Sequence, residues 1–210
     1  MYRPAHFDPP SREAIAAMLR ERPLATIVRV GANGLDADPV PLLYDADDGA
    51  HGTLRGHVAR ANPLWRDADG HDVLALFHGP QAYVSPGWYA SKAEHGKVVP
   101  TWNYVIVQAH GRLRAIDDAA WLRALVGRLT DTHEAARPVP WAVDDAPADY
   151  LDSMLRAIVG IEIVVTRLEG KWKASQNRAE SDRAGVARGL RDEARLSPEA
   201  IAQLVRERGR

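Results

Sequence analysis

The chain has 210 residues, 46% hydrophobic and 26% charged, with a formal net charge of −1 at pH 7. This composition fits one large globular domain, or a domain with a helical appendage, and gives no global electrostatic bias toward nucleic acid or an anionic membrane. The absence of cysteine excludes disulfides, thiolate catalysis and Cys-ligated metal. No apolar run approaches the roughly 20 residues of a membrane span. The N-terminus MYRPAHFDPP lacks the basic-then-apolar order of a signal peptide, so the cytoplasm is the expected compartment.

Residues 1–10 read as an extended arm with three prolines, carrying Tyr2 and Phe7 as anchors. From Ser11 to Arg22 the pattern is helical, with Ile15, Met18 and Leu19 at i, i+3 and i+4, Ser11 as cap and Pro23 as stop. The β-branched segment Leu24–Val30 predicts a strand. Gly31-Ala32-Asn33-Gly34 predicts a turn, because Gly and Asn tolerate positive φ. Further strands are expected at Pro39–Tyr44, His51–Val58 and Asp72–His78. A short helix is expected at Ala59–Arg66, with Asn62 as cap and Pro63 in its first turn.

Thr101–Ile116 reads as a long strand with a bulge or bend at Gly111. Asp117–Thr130 is amphipathic, with Leu122, Leu125, Val126 and Leu129 on one face and Asp117 as cap. A loop carrying Trp141 leads to a helix at Ala148–Val159, with Leu151, Met154, Leu155 and Ile158 on its buried face and Gly160 ending it. Ile161–Leu168 is the last expected strand, followed by a polar tail at Lys171–Arg178. Asp182–Arg191 and Pro198–Arg208 read as exposed helices. Six to eight strands joined mostly by short turns favour antiparallel pairing and a barrel, so the expected fold class is mainly β with peripheral helices.

Three clusters carry chemistry. The first, GPQAYVSPGWYASKAEHGKVVPTWNY from Gly79 to Tyr104, concentrates Tyr83, Trp88, Tyr89, Trp102 and Tyr104 with hydroxyls and an amide around stiff proline turns. Stacking faces with donors and acceptors at the rim suit a flat heteroaromatic ligand; a surface hairpin with packed aromatics is the plainer alternative. The second is GHVARANP from Gly56 to Pro63. There a helix start attracts phosphate, Arg60 offers a bidentate contact and His57 a donor; otherwise Asn62 merely caps and Arg60 is solvated. The third is Trp172, Lys173, Ser175, Gln176, Asn177 and Arg178, just beyond an apolar strand, which could equally be an exposed turn. No Walker or dinucleotide fingerprint, metal-ligand spacing or G-x-S-x-G elbow is present. His95 and Lys97 could donate protons or be merely solvated.

The order MYRPAHF, GHVARANP, GPQAYVSPGWY, VPTWNY, KASQNR-x-x-x-D-x-x-GV resembles the PaiB family, flavin-mononucleotide-binding proteins called negative transcriptional regulators. The resemblance runs from Tyr2 to about Leu190. It implies the FMN-binding split β-barrel of pyridoxamine-phosphate oxidases, over residues 1–178 with inserted helices and a C-terminal helical extension over 179–210. It also implies a homodimer with FMN at the subunit interface. His57, Arg60 and Asn62 match the phosphate position. Tyr83, Ser85, Trp88, Thr101, Trp102 and Asn103, with Lys173, Ser175, Gln176 and Asn177, would approach the isoalloxazine ring, from one subunit or both. A His-x-Pro pattern expected on the second strand is replaced by Pro39-Val40-Pro41, which puts any ring contact there in doubt.

Three functions follow. The first is a flavin-binding transcriptional or metabolic regulator sensing flavin or redox state. The second is an FMN-dependent oxidoreductase acting on a small molecule. The third, a direct DNA-binding repressor, has little support: only the C-terminal region is both basic and helical in period, and its acids offset many of its bases.

Overall fold

The computed structural model describes residues 1–31 and 34–192. Helix α1 (Arg12–Glu21) buries Ile15, Ala16, Met18 and Leu19, and its first turn is capped by Ser11, whose Oγ accepts from the Ala14 amide at 3.2 Å. Strands β1 (Leu24–Gly31) and β2 (Gly34–Pro41) form an antiparallel hairpin in register from Leu24↔Pro41 to Gly31↔Gly34. Gly34 holds the positive φ of 108° that this tight reversal requires; positions 32 and 33 of the expected turn lie outside the described residues.

The second strand expected at Pro39–Tyr44 is split between β2 and the short β3 (Leu43–Asp45). Next come β4 (Thr53–Ala59), α2 (Leu64–Asp67), β5 (Asp72–Val84), α3 (Ser91–His95) and β6 (Thr101–Ile116). They are followed by α4 (Ala119–Glu134), α5 (Ala148–Arg156), β7 (Ile158–Lys173) and α6 (Glu180–Asp192). The seven strands form one sheet in the order β2-β1-β5-β6-β7-β4-β3. The β1–β5 and β4–β7 pairs are antiparallel, from Ala25↔Phe77 to Val28↔Leu74 and from Thr53↔Val164 to Ala59↔Ile158.

The chain folds as two compact units. Unit 1 comprises residues 1–2, 9–79 and 106–171; unit 2 comprises residues 3–8, 80–105 and the described residues from 172 onward. In unit 1 the two ends of the sheet meet. A Cβ at Gly56 of β4 would lie 2.7 Å from both the Leu42 side chain and the Pro41 carbonyl, so only glycine lets β4 and the end of β2 approach this closely. The result is a split β-barrel. Its interior holds Leu19, Ile27, Leu42, Leu54, Leu64, Phe77, Val107, Leu113, Ile161 and Ile163, all essentially inaccessible. Each contributes about 1.5–3 kcal/mol by leaving water. Outside it, α4 and α5 share a second core of Leu122, Val143, Leu151 and Leu155 against Trp121, Val126 and Ile158.

Several expected boundaries move for identifiable reasons. Helix α4 is capped by Asp118, which accepts from the Trp121 amide at 2.7 Å, because Asp117 is engaged by Arg60. Helix α5 ends at Arg156, and Gly160 lies inside β7, where the Trp121 ring occupies the space a Cβ would need. Met154, expected on the buried face, is exposed. Gly111 makes no break in β6; it permits close approach of the Val164 carbonyl on β7.

In unit 2, Val84, Tyr89 and Val186 form a small core that Trp88, Val98 and Leu190 complete. Helix α6, expected to be exposed, buries Asp182, Gly185, Val186 and Gly189. The helix expected at 198–208 lies outside the described residues.

Candidate functional site

The proline-rich loop of unit 2 is built by its own sequence. Ser85 precedes Pro86 with extended geometry, and its Oγ accepts from the Gly87 amide at 3.2 Å, starting a 3-10 turn over Pro86–Trp88. The turn delivers Trp88 onto α6. A Cβ at Gly189 would collide with the indole, and one at Gly185 with the Trp88 carbonyl. A second tie joins the same elements: Asp182 accepts from the Ser91 amide at 2.9 Å and from its hydroxyl at 2.8 Å. These bonds, the amide first, hold the Asp182 carboxyl below its ordinary value. Gly185, Gly189 and Asp182 are thus the residues that brace this region. Their signal was the D-x-x-G-V segment and the four-residue spacing of the glycines, which a helix places on one face.

Trp88, expected at the ring, packs one face on α6 and stays partly accessible, and the Ser85 hydroxyl, which accepts from Gly87, keeps its own hydrogen to donate. By contrast, Tyr83 and Trp102 stand together edge to face, with centroids 6.1 Å apart, and remain 39% and 54% exposed. Exposed aromatic faces of this kind are available to stack.

Residues 101–103 and 173–176 do converge. Lys173 Nζ donates to Thr101 Oγ1 at 2.6 Å and to the Trp102 carbonyl, and lies 5.9 Å from the Tyr104 ring centre. Ser175 is buried, and its Oγ sits 3.0 Å from Asn103 Nδ2. Ser175 is the only non-glycine with positive φ among the described residues, at 62°. Such a conformation costs on the order of 1–2 kcal/mol and persists only where neighbours over-determine it. Here the neighbours are Asn103 and Gln176, whose side-chain amide accepts from the Ala174 amide at 2.7 Å and donates to the Trp172 carbonyl. Gln176 thus shapes the turn, while Asn177 is exposed.

A cavity of about 300 Å³ opens beside this turn. Asn103, Tyr104, Lys173 and Ser175 form one side of it, and Arg183, Val186 and Leu190 of α6 another. Arg183 escaped the sequence reading because it belongs to no motif; only the fold of α6 brings it here.

In unit 1 the GHVARANP segment ends β4. His57 lies on that strand with Nδ1 buried and without a partner among the described residues. Burial pushes its pKa down, so it is neutral at pH 7. Arg60 is heavily engaged: Nη1 and Nη2 donate to the two Asp117 oxygens at 2.7 and 2.6 Å, Nε to the Arg156 carbonyl at 2.7 Å, and Nη2 also to the Ile158 carbonyl at 3.0 Å. Asn62, expected to cap a helix begun by Pro63, stands one residue earlier: α2 starts at Leu64 with Pro63 before it, and Asn62 Oδ1 accepts from the Leu64 amide at 2.8 Å while Nδ2 donates to Asp38 Oδ1 at 2.8 Å. The expected helix start is only four residues long, so its dipole adds little for an anion. Its neighbour Asp38 belongs to the Asp-Pro-Val-Pro stretch that replaces the expected His-x-Pro.

The residues present fit a flavin. A largely apolar cavity rimmed by an amide, a hydroxyl and cations suits the isoalloxazine edge.

Comparison with known proteins gives the same answer. Residues 1–167 match the family model FMN_bind_2, described as a "Putative FMN-binding domain". The Bacillus subtilis protein called protease synthase and sporulation protein PAI 2 is 32% identical over 99% of this chain and 98% of its own. An uncharacterized Emericella nidulans protein is 34% identical, covering 91% of each chain. Among solved structures, the flavocytochrome Anf3 of Azotobacter vinelandii superimposes with a TM-score of 0.59 at 16% identity, over 85% of this chain and 75% of that one. The FAD and heme binding protein of Mycobacterium smegmatis does so with 0.59 at 18%, over 84% and 78%. At these identities the structures speak to fold alone. The match to the family model and the full-length identity to PAI 2 carry the assignment: the chain belongs to the PaiB family of FMN-binding proteins.

Proposed function

We propose that this protein is a flavin-responsive regulator: a homodimer in which FMN occupancy or redox state is transmitted to α6. The observation that carries this reading is that α6 forms a wall of the cavity in unit 2 and is itself fixed to the neighbouring loop through Trp88 and Ser91. Asn103, Lys173, Ser175 and Arg183 hold the ring edge, and Tyr83 or Trp102 offers a stacking face. Bound FMN supplies a redox centre whose potential follows the hydrogen bonds near its N1 and N5 positions. A change in those bonds bears on Ser175 and Arg183, and through Arg183 on the helix. Exposed apolar groups of unit 2, Val99 and Trp102, support assembly with a second copy.

The phosphate assignment to His57, Arg60 and Asn62 is a separate part of the proposal. His57 offers the unpaired nitrogen, and Arg60 offers only what Asp117 leaves. Amide hydrogen exchange over residues 180–192, in oxidised and dithionite-reduced protein, tests the regulatory reading. Protection that differs between the two states supports it. Equal protection together with sustained turnover of a reduced nicotinamide would make the protein an FMN-dependent oxidoreductase instead.

A further inference from the structure

A second cavity shares no residue with the flavin site proposed above. It lies wholly in unit 1, between α1 and the turn that joins β3 to β4, and measures about 530 Å³, a size that suits a small metabolite. Arg12, Ala16 and Arg20 form one stripe of α1, since residues four apart share a helix face. Ala16 between the two long side chains leaves the space. Opposite stand Ala46, Asp47, Gly49 and Ala50.

Its walls are fixed before any ligand arrives. Tyr44 is 8% exposed, its hydroxyl donates to the His51 carbonyl at 2.9 Å, and its ring lies where a Cβ of Gly52 would otherwise be. With its hydrogen used, the phenol oxygen can only accept. Arg12 Nη2 donates to the Ala50 carbonyl at 2.7 Å. The Thr53 hydroxyl donates to the Asp48 carbonyl at 2.9 Å and so pins the turn.

The charges around this cleft are unequally satisfied. Asp45 is held by Arg55 and Arg128, and Asp48 by Arg55. Glu13 is occupied in the first turn of α1, where the Ser11 hydroxyl lowers its pKa. That leaves Arg20 and Asp47: among the described residues neither has a hydrogen-bond or ion-pair partner, and both line the cleft. Burial raises the Tyr44 phenol above its ordinary value; Arg12, which also bonds its oxygen, and Arg20 oppose that rise, and Asp47 adds to it, so all three charges lie around one point of the cleft.

We infer that the cleft between α1 and the β3–β4 turn binds a small zwitterion of the amino-acid class, its carboxylate on the Arg12–Arg20 stripe and its ammonium on Asp47. A ligand of one sign would leave one of the two unpaired wall charges unanswered. A zwitterion answers both and adds no net charge.

The test is titration calorimetry on the FMN-loaded protein, which keeps the flavin site filled. The probes are glycine, 4-aminobutyrate and 6-aminohexanoate, with butyrate and butylamine as singly charged controls at matched ionic strength. At least one amino acid should bind at least tenfold tighter than both controls, and the preferred chain length reports the span between the charges. Arg20→Gln should reduce that probe to the level of butylamine, and Asp47→Asn to the level of butyrate. Flavin absorbance and melting temperature should not change, because both side chains are exposed and unpaired. Equal affinity for probe and controls, no binding of any amino acid, or binding unaffected by both substitutions would overturn the inference.

Discussion

Gly189→Ala offers a decisive view of how α6 is held. In an isolated helix the change is favourable by about 1 kcal/mol, because alanine is the better helix former. Here the new methyl would meet the Trp88 indole, and placing extra atoms in a packed contact costs about 1–3 kcal/mol. The two effects oppose each other, so Gly189→Ala should be neutral to about 2 kcal/mol destabilising in the natural protein. If Trp88 is first replaced by alanine, the obstruction is gone and only the propensity remains. Gly189→Ala should then stabilise by about 1 kcal/mol. The sign reversal gives a coupling of about 1–3 kcal/mol, well within reach of a double-mutant cycle. Urea denaturation of the four proteins, followed by circular dichroism, measures it. Equal destabilisation by Gly189→Ala in both backgrounds would refute the packing argument, and with it the mechanical link from the loop to α6.

Other expectations can be tested alongside. Ser175→Gly relieves roughly 1–2 kcal/mol of left-handed strain and forfeits about 0.5–1.5 kcal/mol of hydrogen bonding to Asn103, so stability should barely change while flavin affinity falls; a large loss of stability would contradict the strain reading. Arg60→Ala should weaken FMN more than riboflavin, by about tenfold, the low end for a charged hydrogen bond because Asp117 already holds the guanidinium. Equal losses for both ligands would leave Arg60 as a clamp for the end of β4 only. The His57 pKa is lowered by burial, so the unfolded chain binds its proton more readily. Stability should therefore fall as pH drops through about 6.5 toward the folded value, and His57→Gln should flatten that slope in denaturation curves. Asp182 has the opposite linkage: its carboxyl is lowered chiefly by the Ser91 amide, so its contribution is present above about pH 4 and lost in acid. Asp182→Ala should lower the melting temperature at neutral pH and leave a smaller acid dependence.

The sequence was most legible where periodicity ruled. The first strand, the Ser11 cap, the Ile15–Met18–Leu19 stripe and the apolar face of α4 all rest on local pattern, and they stand where pattern placed them. The motif order pointed to the cofactor family. What local pattern could not show was how long side chains are spent. Arg60 and Asp117 are 57 positions apart, and nothing near either announces the other. Trp88 and Gln176 read as ligand groups because they are aromatic and polar; that one also packs against glycines of α6 and the other also closes its own turn was not legible in either residue's surroundings. Arg183 carried no motif at all, and only the docking of α6 puts it beside a cavity.

The outermost strand has a consequence for how copies of this protein meet. Strand β2 ends the sheet; its last residues lie against β4, and the rest of its edge is the kind of template on which another extended chain can polymerise. This edge is poorly suited to that. Pro39 and Pro41 remove two amides, and Asp36 and Asp38 set carboxylates along the same eight residues, held by the buried guanidinium of Arg29. Leu24, Val30 and Leu35 of the hairpin can therefore stay exposed without inviting runaway strand addition. An orderly dimer of this chain would have to form through side chains on a face of the fold, and a peptide that mimics a β-strand should find no purchase along β2.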